Sequence, residues 1–205
     1  MATERFRIRM APNGLALAQE VLNTRALGLK AEDLLASEAV GLDWLRATVH
    51  EWAERQGAAA PAGEPGAADL AVVRDLRTRL EGILLSRDRP GSDEAAAPSG
   101  KPARVPAELL VGHDGEVRLA PARASSWGKW LESAAWTEVL LAQRAGTWAR
   151  LKLCRGPGCA SAFYDMSRNN SGVWHDVRVC GNAANLRASR QRRKQQAESA
   201  GQPDR

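Results

Sequence analysis

Four stretches of apolar residues recurring every three or four positions, one Asp-Gly turn between two short apolar runs, and a basic last quarter holding every cysteine predict a mainly α chain with a small β-hairpin (α+β). The expected architecture is a helical N-terminal body followed by a small C-terminal module that ends in a basic helix.

Each element has its own signal. Leu15, Leu17, Ala18, Val21 and Leu22 predict a first helix between Asn13 and Thr24, starting near Gly14. Ser37 stands where an N-cap is wanted, and Val40, Leu42, Trp44, Leu45, Val49 and Trp52 carry a second helix to Gly57. His50 has no companion ligand at helical spacing and is read as an ordinary surface or core residue. After an Ala/Gly/Pro loop at 57–68, the stripe Leu70, Val72, Val73, Leu76, Leu80, Ile83 and Leu84 predicts a third helix. Residues 88–104 read as a linker. Leu109 to Val111 and Val117 to Leu119 flank His113-Asp114-Gly115, a tight-turn signal that predicts the hairpin. Neighbouring turn residues rarely meet in the geometry of a catalytic His–Asp pair, so both are assigned to the turn. Trp127, Trp130, Leu131, Ala134, Ala135, Val139, Leu140 and Leu141 predict a last body helix from Ser125 to about Arg144.

An apolar fraction of 44% with 26% charged residues is that of a folding soluble chain. There is no apolar run of about 18 residues and no signal-peptide pattern, so a cytoplasmic location with no membrane partner is expected. Charge is unevenly placed. Residues 1–150 hold 19 Lys and Arg against 20 acidic residues, net −1, whereas 151–205 hold 10 against 4, net +6. A neutral body with a basic end is the asymmetry of a chain that meets a polyanion.

The three cysteines are Cys154, Cys159 and Cys180. An odd number confined to one short segment argues against a disulfide framework. With His175 they form C-x4-C and H-x4-C pairs, the arrangement by which two short turns offer four donors to a tetrahedral zinc ion. Pro157 and Gly158 supply the tight turn of the first pair. With four protein ligands the site is closed, so the zinc, one ion, is expected to be structural. No base and orienter accompany a nucleophile, and the chain is expected not to be an enzyme. The module would be a treble-clef-like or ribbon finger.

The run Cys154, Cys159, Phe163, Asp165, Ser167, Arg168, Trp174 and Cys180-Gly181-Asn182 resembles the CGNR zinc finger, a module that closes bacterial proteins described as stress-induced transcriptional regulators. The stretch APNGLALAQEVLNT, with Asp33-Leu34-Leu35 and Trp44-Leu45, resembles the ABATE domain of the same proteins. Two departures stand out. His175 replaces the Cys that usually follows the Trp, an exchange zinc tolerates. Ala183 and Asn185 replace an Arg and a common Lys, which weakens the grip of the first helical turn on phosphate. The implied organisation is an ABATE-like body at 1–149, for ligand sensing or dimerisation, a finger with its basic helix at 150–197, and a disordered tail at 198–205.

From Ala183 to about Ala197 the chain is a good helix former. Arg187, Arg190, Arg193 and Lys194 are its candidate phosphate contacts, and Asn185 and Gln191 its candidate base contacts. Asn182 is assigned a structural role, as helix cap or partner of a ligand sulfur. The function expected is DNA-binding transcriptional regulation, with a small-molecule effector and a homodimer as further partners. RNA or protein binding is the alternative, for which Phe163 and Tyr164 are the nearby aromatics. A third reading, an enzyme, would use a small-molecule site in the body, where Gln19 and Asn23, one turn apart, are the candidate ligand-binding residues.

Overall fold

The computed structural model describes residues 1–26, 31–88, 103–123 and 126–200, with backbone alone for 197–200. Most of the expected linker, Ser125 and the end of the expected tail lie outside the described residues. The fold is mainly helical with two small antiparallel hairpins.

Helix α1 (Leu15–Leu22) is short and buried on every side, because the other body elements wrap it. Its apolar residues recur through the whole helix, so no face is left for solvent. Helix α2 (Glu38–Gln56) starts after Ser37, whose extended backbone suits an N-cap, although the Ser37 side chain makes no capping bond. Gly57 ends it at φ 62°, the left-handed conformation that glycine adopts without penalty. Helix α3 (Ala67–Asp88) and helix α4 (Trp127–Arg144) complete the body. Leu45, Leu76, Leu80, Trp130 and Leu131 meet at its centre. Ser126 caps α4 by accepting a hydrogen bond from Lys129 N at 3.2 Å. Gly128 lets the helices close up, since a Cβ there would stand 2.6 Å from the Asp69 carbonyl oxygen. The Asp69 carboxylate then accepts from Gly128 N at 2.9 Å and Ser126 Oγ at 2.5 Å.

The expected hairpin is present as β1 (Ala107–Val111) and β2 (Val117–Pro121), pairing Leu109 with Leu119 and Val111 with Val117. His113 and Asp114 are exposed in its turn, as assigned.

A second hairpin escaped sequence reading: β3 (Leu151–Leu153) and β4 (Ala162–Tyr164), pairing Leu151 with Tyr164 and Leu153 with Ala162. It joins the two expected units. Leu151, Leu153 and Ala162 belong to the same core as the body helices. Arg87 on α3 donates to the carbonyls of Trp148 at 3.0 Å and Leu151 at 2.5 Å. The boundary expected at 149/150 therefore crosses a shared core.

Gln19 and Asn23, expected to line a ligand site, have no exposed surface and take a different role. Asn23 Nδ2 donates to the Ala162 carbonyl at 3.0 Å, and its Oδ1 accepts from Ala162 N at 2.8 Å. Gln19 Nε2 donates to the Arg9 carbonyl at 3.0 Å and its Oε1 accepts from Ala11 N at 2.6 Å. Their amides complete the backbone pairing of β4 and of the N-terminal segment, which leaves nothing free for a ligand.

Candidate metal centre

The β3–β4 hairpin holds the first ligand pair. Cys154 N donates to the Ser161 carbonyl and Cys159 N to the Gly156 carbonyl, at 2.9 and 3.0 Å, so the C-x4-C segment closes as two nested turns. Gly158 at φ 69° makes the reversal possible. Gly156 is required for another reason: a Cβ there would lie 2.6 Å from Cys180 Cβ and 2.8 Å from its sulfur. The second ligand pair approaches through that gap.

His175 sits just before, and Cys180 inside, a wide π-helical turn, Val177–Gly181, that runs straight into α5 (Asn182–Ala200). Asp176 caps the turn, its side chain accepting from Arg178 N at 2.7 Å and Val179 N at 3.2 Å. Asn182 therefore does not cap the helix: its backbone is already helical and its side chain is exposed. The helical run also begins several residues earlier than expected and reaches Ala200, so residues 198–200 are helix and not tail.

The four donor atoms of Cys154, Cys159, His175 and Cys180 lie within 4.8 Å of one another. His175 Nδ1 stands 3.3 Å from the Cys159 sulfur and 3.6 Å from the Cys180 sulfur. A zinc ion with bonds of about 2.3 Å to sulfur spreads its ligands about 3.8 Å apart, so the cluster fits one tetrahedral ion. All three sulfurs are buried and His175 is half-buried, which leaves no open coordination position for substrate. Ser161 Oγ, 3.2 Å from the Cys159 sulfur, and Gly156 N, 3.4 Å from the Cys154 sulfur, add outer hydrogen bonds of the kind that orient ligands. The thiols are unequal. The hydrogen bond from Cys154 pushes the Cys159 thiol down, helped by His175 and Ser161 and opposed by burial. The same bond and burial push Cys154 up, and burial pushes Cys180 up. A metal must displace protons from the latter two.

Beneath the cluster, Lys152 Nζ donates to the Asp165 carboxylate at 2.8 Å and to the carbonyls of Asn170 and Gly172. Burial works against the Asp165 charge. Lys152, Ser167 and Gly172 N outweigh it and hold the carboxyl well below its usual range. Phe163 packs with Ile8 against the cysteines, and Trp174 covers Gly181.

The candidate nucleic-acid residues all lie on α5, and Asn185, Arg187, Arg190, Gln191, Arg193 and Lys194 are all exposed. At about 100° per residue, Arg187, Arg190, Gln191 and Lys194 fall within one arc of about 100°, and Arg193 stands about 60° beyond Arg190. Asn185 stands about 160° from Arg187, on the far side.

A closed site of three cysteines and one histidine, held by a hairpin and a helical turn, defines a structural zinc module. Consistent with this, residues 150–193 match the CGNR zinc finger family. No curated protein is significantly similar to the chain.

Proposed function

We propose that this protein is a DNA-binding transcriptional regulator of the cytoplasm, without catalytic activity, in which the zinc module aims α5 at duplex DNA. One observation carries the reading. Helix α5 has no packed apolar stripe, its only large apolar residue, Leu186, is exposed, and residues 187–194 hold five cations with no acidic residue between 182 and 197. A helix that is polar all round is not held by its own burial. A polyanion lying along the Arg187, Arg190 and Lys194 face would hold the helix by charge, and a basic helix of this width fits a major groove. In that reading Gln191 reaches base edges, whereas Asn185, on the opposite side of α5, does not.

The body, resembling an ABATE domain in APNGLALAQEVLNT, would receive the effector or form the dimer. The RNA alternative has less support. Phe163 is buried among the zinc ligands and Tyr164 is half-buried on the core, so neither offers a stacking platform.

The test is the salt dependence of duplex binding by the zinc-loaded protein. Four phosphate contacts, from Arg187, Arg190, Arg193 and Lys194, give a slope of log affinity on log salt near −3.6, at about −0.9 per phosphate. Arg190→Ala should make it shallower by about one unit. A quadruple alanine variant that binds DNA as well as the parent at low salt would sink the proposal. Recovery of bound genomic DNA then separates discrete operators from non-specific binding.

A further inference from the structure

Glu138 is the buried acid that neither the zinc centre nor the scaffold explains. It lies on α4, is only 7% exposed, and its carboxyl rests against the backbone of Gly14, where a Cβ would stand 1.8 Å from it. The other buried acids have partners. Glu20 accepts from the N–H groups of Ala2 and Thr3 and from Trp44, Glu132 pairs with Arg79 and Lys129, and Asp165 pairs with Lys152. Among the described residues no Arg, Lys or His forms an ion pair with Glu138. At the start of α1, Ala16 N and Leu17 N bond the carbonyls of Asn13 and Gly14 and so do not donate to it. Burial pushes its carboxyl up, and only the nearby Trp52 indole opposes that.

The carboxyl opens onto a cleft of about 530 Å³ between the start of α1, the end of α2, α4 and the β1–β2 hairpin. Its walls include Gly14, Trp52, Leu110, Leu119 and Leu141. Trp52 also borders a neighbouring cavity of about 320 Å³ with Thr48 one turn before it. Both side chains are buried; Thr48 Oγ1 makes no hydrogen bond, and the Trp52 indole N–H, which favours the Glu138 carboxylate, makes none of normal geometry. Buried polar atoms are nearly always satisfied, and a small-molecule site is an apolar cleft of about 300–1,000 Å³ with a few convergent polar groups. Arg118 lines the same cleft with an exposed side chain, 3.8 Å from the Glu116 carboxylate.

We infer that this cleft binds a small organic cation, an amine with an apolar body, with Glu138 as its counter-ion and Trp52 as its aromatic wall. An ammonium donates to the carboxylate at short range, stabilises its charge in the buried site and lies beside the Trp52 indole. Only the amine's role as effector rests on the regulator reading, and binding is measured without DNA.

The experiment is calorimetric titration of the full-length zinc-loaded protein with three probes sharing one apolar body: 2-phenylethylamine, 2-phenylethanol and phenylacetate. The amine should bind at least about tenfold more tightly than the alcohol, and phenylacetate should give no binding heat. Glu138→Gln should erase the gap between amine and alcohol. Equal binding of amine and alcohol by the parent, no binding by either, or an amine preference that survives Glu138→Gln would overturn the inference.

Discussion

The helical body and the finger are held together by opposite means. The body closes on large aliphatic and Trp side chains contributed by all four of its helices. The finger's own cluster is Ile8, Cys154, Cys159, Phe163 and Cys180, with Phe6 and Trp174 at its edge. Three of those five buried residues are metal ligands, so the finger's core is chiefly its coordination sphere. Its β3–β4 hairpin, by contrast, is built into the body through Asn23, Arg87 and shared apolar contacts. The difference teaches where order depends on metal: residues 165–181 and the direction of α5 should need it, and the hairpin should not.

The strongest way to break that comparison is to remove the metal. Zinc in small modules supplies apparent folding free energy of about 10 kcal/mol or more. Chelation should abolish amide-exchange protection between Cys180 and the start of α5 while α2, α3 and α4 keep theirs. The purified protein should contain one equivalent of zinc, and Cys154→Ala with Cys180→Ala should contain none. Because Cys154 and Cys180 must lose protons to bind, zinc affinity should fall as pH is lowered. An affinity independent of pH would contradict the ligand assignment.

Next in size is the polar tether. Asn23→Ala leaves the N–H of Ala162 buried without its side-chain partner, at about 1–3 kcal/mol for the unsatisfied group, while the Ala162 carbonyl keeps Gln19 Nε2 at 3.3 Å. Urea titration should show a loss of about 1–3 kcal/mol in one cooperative transition that covers body and hairpin together. Two separated transitions would mean that the shared core does not couple them. Truncation at residue 149 should be worse, since it also removes Leu151 and Leu153.

A subtler change is Gly156→Ala, which drives a methyl group into Cys180. Disturbing the support of a ligand typically costs 10–100-fold in metal affinity, and competition with a chromogenic chelator should report a loss in about that range. Body stability should stay unchanged.

The smallest effect concerns the body alone. A carboxyl with a raised folded value stabilises most while protonated, below its unfolded value near pH 4.3, and that contribution is lost as pH rises through the folded value. Glu138→Gln should therefore show a smaller fall in melting temperature than the parent between about pH 4 and pH 8. Parallel curves would mean that Glu138 is not strained by burial.

Much of this was legible in the sequence, for reasons that differ by region. The ligand set was visible because tetrahedral zinc demands particular donors at turn spacing, and Cys154, Cys159, His175 and Cys180 are brought together as that demands. The long helices were visible because one-sided burial imposes a period, seen in Leu70 to Leu84 and in Trp127 to Val139. What was hidden depends on partners distant in sequence. Asn23 binds a backbone 139 residues away, so nothing local distinguishes it from a ligand-binding amide. Strands of three residues such as β3 and β4 carry no period at all. The cap at Asp176 was missed because the Cys-Gly-Asn motif drew the helix start forward to Asn182, although Asp before a helical run was a usable signal. Glu138 sits on a helix rich in apolar residues, where only the cleft around it marks it out.

The wide turn at Val177–Gly181 has a mechanical consequence. Because Cys180 lies inside it and α5 continues without a break, the ligand and the far end of the helix form one lever with its fulcrum at the zinc centre. At 1.5 Å per residue, Arg193 stands about 20 Å along that arm, so a tilt of about 10° at the fulcrum sweeps its backbone through about 3 Å. A change of ligand geometry too small to alter the coordination sphere, such as the exchange of a sulfur donor for the imidazole of His175, is magnified at the basic tip.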